Sequence, residues 1–185
     1  MEKQSITPVD VRRLLGVADE ELRTAISLGH YAGLSSLELT SLHWADLNFI
    51  EKSIKVGRGL GVPLKEVPMH PVLARQLMVL QGLRHTNSPE VFPAPLAVTR
   101  LREKLHHVAV PLGLGHVSFK DFQELFIELL KRASETAAVM GMLLGNKDAK
   151  SYVLFTKDGR LRDVDPQKYR AVLECFTDLM KQEGN

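Results

Sequence analysis

Three short stretches of this 185-residue chain carry residue types that do chemistry in other settings. Gly57-Arg58-Gly59-Leu60-Gly61 has the glycine content of a phosphate-cradling loop. It lacks the terminal Gly-Lys-Ser/Thr, and the residues after it pattern as a strand, so no helix N-terminus is offered to a phosphate. His106-His107 supplies two imidazoles of the kind that bind transition metals. Neighbours on a helix point about 100° apart, and no Cys, Asp or Glu stands at ligand spacing, so the pair reads as a polar helix face with no metal. Ser35-Ser36 offers hydroxyls without the strand-to-helix elbow of a hydrolase nucleophile.

The elements that position these residues are legible from punctuation and periodicity. Thr7-Pro8-Val9-Asp10 has a hydroxyl cap, proline at the first helical position and a carboxylate able to reach back, which predicts a helix through Leu15 that ends at Gly16. Asp19 to Tyr31 repeats apolar residues at helical spacing until Gly33, and a third helix is expected from Ser36 to His43. Leu47–Val56 and Lys65–Met69 are short, partly alternating and flanked by glycine and proline, as strands are. Helices are then expected from Pro71 to about Leu83, from Thr99 to Leu112, from Ser118 to about Lys131, and from a Ser134 cap to Leu144. Asp165-Pro166 opens a last amphipathic helix over about 165–182, whose apolar face holds Cys175. The fold class is mainly α with a small antiparallel β-sheet, expected as a single domain over 1–185 with its core at about 7–156.

Composition excludes more than it assigns. With 24 Lys and Arg against 22 Asp and Glu, the net charge of +2 permits nucleic-acid binding without arguing for it. No run approaches the length of a membrane span, and Met1-Glu2-Lys3-Gln4-Ser5 lacks the apolar stretch of a secretory signal. The single cysteine cannot form an internal disulfide. These features predict a cytoplasmic protein with no cofactor and no membrane partner.

One ordered set of segments carries a resemblance. Ala32-Gly33-Leu34-Ser35-Ser36-Leu37-Glu38-Leu39, followed by Leu42-His43-Trp44-Ala45-Asp46-Leu47, resembles the tyrosine recombinase (phage integrase) signature T-G-L-R-x-x-E-L-x-x-L-x-W-x-D-I. Gly57-Arg58-Gly59 and Lys65 to Pro71 are similar to that family's G-K-G-x-K-x-R-x-V-P-L-x-P hairpin, and Val91-Phe92-Pro93 to its V-F-P. Val117 to Glu124 stands where the family has H-x-L-R-H-T-F-A, and Met142-Leu143-Leu144-Gly145-Asn146 is similar to E-L-L-G-H. The resemblance implies an integrase-like catalytic-domain fold, here without the additional N-terminal domain that family enzymes usually carry.

It also implies a chemistry that these residues no longer support. Family members attack DNA with a tyrosine and stabilise the pentacoordinate phosphate with two arginines, a lysine, and two histidines or a histidine and a tryptophan. Fixed cations and donors aimed at developing charge are what such a step requires. Ser35 replaces the first arginine and, with Glu38 three residues on, has the form of a capping box. Lys120 replaces the second arginine, keeping charge without a planar fork. Val117 stands for the first histidine, with His116 one position away, and Asp121 for a second. Asn146 stands for the late histidine, Arg58 or Lys65 for the mobile lysine, and Tyr152 or Phe155 for the nucleophile.

The expectation is therefore a non-enzymatic, recombinase-like domain in a mobile-element, plasmid or regulatory setting. It would bind DNA through Arg12, Arg13, Arg58, Lys65, Lys120, Lys131 and Arg132, contacts that grip the backbone without reading sequence. The alternatives are an interaction or oligomerisation module, with the C-terminal helix meeting a partner or a second copy, and a divergent active recombinase using Tyr152.

Overall fold

The computed structural model describes residues 5–143 apart from 58, 61–64, 85–86 and 94–96, with side chains described to Ala133 and that of Lys65 left out. The chain divides into two compact units, Met1–Phe126 and Ile127–Asn185. The first unit opens with α1 (Pro8–Val17), which starts where the Thr7-Pro8 signal places it. Thr7 and Asp10 form a reciprocal capping box, with the Thr7 N–H donating to Asp10 Oδ2 at 3.0 Å. Gly16 lies inside the last turn instead of ending the helix. A single exposed glycine costs only about 1 kcal/mol in a helix, too little to stop one that caps on the next residues.

α2 (Glu20–Ala32) is capped by Asp19, whose carboxylate accepts from the Leu22 N–H at 2.9 Å, and it ends at Gly33 in the left-handed conformation, φ +67°. α3 (Ser36–Thr40) is shorter than its periodicity predicts, because Ser41 turns out and a 3-10 turn (Trp44–Asp46) follows. The expected strand over Leu47–Val56 is two strands, β1 (Leu47–Asn48) and β2 (Ser53–Val56), folded back on one another. Asn48 makes the bend, its side-chain oxygen accepting from the N–H groups of Ile50 at 3.1 Å and Glu51 at 2.9 Å. β3 (Lys65–Pro68) completes a three-stranded antiparallel sheet in order β1-β2-β3, with Ile54 opposite Val67 and Val56 opposite Lys65.

α4 (Pro71–Gly82) and α5 (Ala97–Ala109) follow, the latter running into a 3-10 turn (Val110–Leu112). α2 is the centre of this unit: it packs on α4 and also meets α1, α3 and α5. Leu22, Ala25, Ile26 and Leu28 are accordingly buried, with Leu73 and Leu77 of α4 and Leu101 and Leu105 of α5.

α6 (Phe119–Leu143) is one continuous helix where the sequence predicts two, and Ser134 lies within it. No glycine or proline interrupts 119–140, so nothing in the backbone forces a stop there. Of the second unit, the described part is α6 beyond Phe126, where Leu129, Leu130 and Ala133 are buried. Among the described residues no helix is long and apolar enough to cross a membrane.

Candidate functional site

Ser35 is the N-cap of α3, and its N–H and side chain both turn to Glu38. The N–H and the hydroxyl each donate to Glu38 Oε2 at 2.8 Å, while Oγ accepts from the Glu38 N–H at 3.4 Å. The capping-box reading of this pair is thus what the structure shows. A short neutral hydroxyl committed to a carboxylate offers no positive charge to a phosphate. Ser35→Ala is expected to cost about 1 kcal/mol, the usual value of a lost cap, visible as a lower urea midpoint with an unchanged slope.

The segment entering α6 also turns a carboxylate back on its own start. Asp121, buried, accepts from the Ser118 N–H and from its hydroxyl, each at 2.7 Å, so it closes the helix start instead of facing outward. Lys120 is on the outside, its side chain 75% exposed and its ammonium 3.3 Å from Glu124 one turn on. Val117 is half-buried and His116 exposed.

The fold does bring the two signature regions together. Gln123 Nε2 donates to the Gly33 carbonyl at 2.9 Å, and a Cβ placed on Gly33 would lie 2.5 Å from the Phe126 ring. Gly29, one turn earlier on α2, sits against Phe122, where a Cβ would come within 3.2 Å. Glycines 29 and 33 are therefore the seat on which the first turns of α6 rest.

The remaining basic residues fall in different places. Arg13 donates to the Leu112 carbonyl at 2.8 Å and pairs with Asp10 at 3.4 Å, so it ties α1 to the turn after α5. Arg12 is exposed, and its charge acts on Tyr31. Lys131 and Arg132 are exposed on α6 in the second unit. Lys65 takes its place in β3, while its side chain, Arg58, Asn146, Tyr152, Phe155 and the helix expected at 165–182 lie outside the described residues.

The later part of the first signature is structural. Asp46 is buried and accepts from the His43 N–H at 3.0 Å. Arg84 lies 4.9 Å over the Trp44 ring, and the Trp44 N–H donates to the Pro89 carbonyl at 2.9 Å, so both residues are held to this turn. On the other side of α2, Arg100 pairs with Glu21 at 2.6 Å and Lys104 with Asp19 at 2.7 Å and Glu21 at 2.6 Å. Burial pushes the Glu21 carboxyl up, but the bonds from Arg100 and Lys104 outweigh it and hold the group below its usual range.

A cluster that sequence reasoning missed lies between α2 and the start of α4. The Tyr31 ring stacks on His70 at 4.6 Å and meets His30 edge-on at 4.8 Å. His70 is the N-cap of α4, its Nδ1 accepting from the Val72 N–H at 3.2 Å. Burial pulls His30 down to about 3, aided by His70, and pulls His70 down to about 4, aided by Arg75. Burial raises the Tyr31 phenol, against the pull of Arg12. The one local signal was His70 directly before Pro71, a side-chain acceptor preceding a helix start.

No family model and no curated protein matches the sequence. Solved structures do match the fold. An integrase from mycobacterium phage Brujita superposes with a TM-score of 0.68 at 18% identity, over 99% of this chain and 63% of the other. XerA recombinase gives 0.65 at 18% identity, over 97% and 66%. A lambda integrase fragment, a dimer bound to a COC′ core site, gives 0.57 at 16% identity, over 89% and 63%. The chain thus spans less than two thirds of the length of each. The mainly helical chain, with its small three-stranded antiparallel sheet, has the integrase-like catalytic-domain fold of the tyrosine recombinases.

Proposed function

We propose that this chain is a recombinase-like domain that does not exchange strands and acts by holding DNA through backbone contacts. The observation that carries this reading is the Ser35–Glu38 cap, which fills with a neutral hydroxyl and a carboxylate the position where the resemblance puts an arginine. Lys120, exposed and paired with Glu124, supports it, since a flexible ammonium cannot reproduce a guanidinium's two-point grip. Removing a single preorganised donor from such a site costs roughly 3 kcal/mol of barrier, and here more than one position is altered. The lambda integrase structure on a core site favours DNA as the partner.

Incubation with a nicked suicide duplex is expected to leave no covalent protein–DNA adduct. An adduct that disappears in Tyr152→Phe would instead establish a divergent active recombinase. Duplex binding is expected at low salt, and with about three phosphate contacts its affinity should fall about 40-fold between 50 and 200 mM salt.

One observation favours the second reading, a protein-contact module. Met78 and Val79 near the end of α4 and Leu83 at its C-cap are 53%, 48% and 51% exposed, an apolar patch on the side of the helix end that does not face the core. Absence of duplex binding at low salt, together with a solution mass that drops when Met78 and Leu83 are both changed to Glu, would decide for it.

A further inference from the structure

We propose that the outward face of α4 is a self-association surface, on which a second copy of this chain lays its own α4 antiparallel. Leu73 and Leu77 turn the other face of this helix to the core. Its exposed residues are Pro71, Arg75, Met78, Val79, Gln81 and Gly82. At 3.6 residues per turn, Arg75, Met78, Val79 and Gly82 fall on one stripe opposite those leucines. Arg75 is the only charge on it, and no Asp or Glu occurs anywhere from 71 to 89. A helix that is apolar on both faces is one that buries both, so the stripe calls for a cover. This inference rests on the protein-contact reading above and names the partner that reading leaves open.

The pattern of the stripe identifies the cover. Positions 75, 78, 79 and 82 are symmetric about a point between 78 and 79. A two-fold axis through that point sets Met78 against its own counterpart, Val79 likewise, and Arg75 against Gly82 of the second copy, which is the self-complementarity a two-fold interface requires. Gly82 leaves room for this: a Cβ built on it meets nothing within 4 Å, so a long side chain can lie across it. The charges are complementary as well. The last carbonyls of a helix carry partial negative charge, yet α4 has no basic residue in its last turn. Arg84, just beyond it, is turned to the Trp44 ring and the Ser88 carbonyl. In the antiparallel pair, Arg75 of each copy supplies the missing cation to the other. The two arginines stand about 10 Å apart along the axis, beyond the screening length at physiological salt. One helix pair buries little area, so the association belongs to the weak class.

The test uses the full chain carrying Cys175→Ser, so that any disulfide reports an introduced cysteine. Sedimentation at rising concentration is expected to carry the mass from monomer toward dimer, and Met78→Glu to hold it at the monomer. Arg75→Ala is expected to weaken the association about 2–5-fold, the worth of one cation at a helix end. Under mild oxidation Met78→Cys should link to itself, whereas Arg75→Cys and Gly82→Cys chains, when mixed, should link to each other more than either does to its own kind. A dimer whose Arg75→Cys chains link among themselves overturns the antiparallel register and leaves the protein-contact reading standing. A chain that stays monomeric at every concentration removes both.

Discussion

Gly33→Ala is expected to destabilise the domain by about 3 kcal/mol and to lower Tm by about 6–12 °C. Two costs add at this residue. It ends α2 with φ at +67°, a conformation that strains any L side chain. Its missing Cβ also leaves the space filled by Phe126, since a methyl there would stand 2.5 Å from one ring carbon and 2.6 Å from another. Phe126 is itself fully enclosed and cannot swing aside without opening a void. Gly29→Ala separates the two terms, because Gly29 is helical and a methyl at that position would press chiefly on Phe122 Cβ, at 3.2 Å. It should cost distinctly less in the same urea titration, and equal losses would mean that the left-handed backbone of Gly33 contributes nothing.

The same glycine marks how far the chain can be read without its fold. Signals that act over three or four residues were legible: the Thr7–Asp10 and Ser35–Glu38 boxes form as their spacing predicts, and Gly33 breaks the helix it follows. Ser134 has the same hydroxyl as those caps but no chain break before it, so α6 runs on through it. Contacts across the fold were illegible. Nothing near Tyr31 in sequence announces His70, because their meeting depends on where a whole helix lands. The role of Gly33 shows both limits at once: its turn was readable, its contact with Phe126 was not.

The candidate site divides along the same line. Substitution at Ser35 is visible by comparison with a signature, and the structure adds that the hydroxyl already has an occupation, since it caps α3 through Glu38. Asp121 likewise changes meaning. In the signature's terms it is a charge that repels phosphate, whereas in the fold its carboxylate is spent on Ser118. Both acids are thus parts of helix starts, and at these positions they hold the scaffold together.

Acid is expected to unfold this protein earlier than its carboxylates would dictate. His30 and His70 are held neutral in the fold, at about 3 and about 4, against about 6.5 for an exposed imidazole. A folded-state value below the unfolded one means that the unfolded chain binds the extra protons. The stability of both sites is therefore complete above about pH 6.5 and is lost as pH falls below it, down to about pH 4 for His70 and about pH 3 for His30. Asp19 and Glu21 also lie below their usual values, but those values are carboxylate ones, so their contribution is lost only at more acid pH and the interval from pH 6.5 to 5 belongs to the histidines.

The two together are expected to remove about 2–4 kcal/mol between pH 8 and pH 5. Protonation at His70 has a specific structural consequence, because its Nδ1 is the acceptor for the Val72 N–H and a protonated ring cannot accept. His70→Asn keeps a side-chain acceptor at the start of α4 but cannot titrate, so it should flatten the acid limb by about half. Urea midpoints at pH 8 and pH 5 measure both effects. Equal midpoints for the parent protein would place protons on these imidazoles in the folded state, and the packing of Tyr31 between them would then need a different electrostatic account.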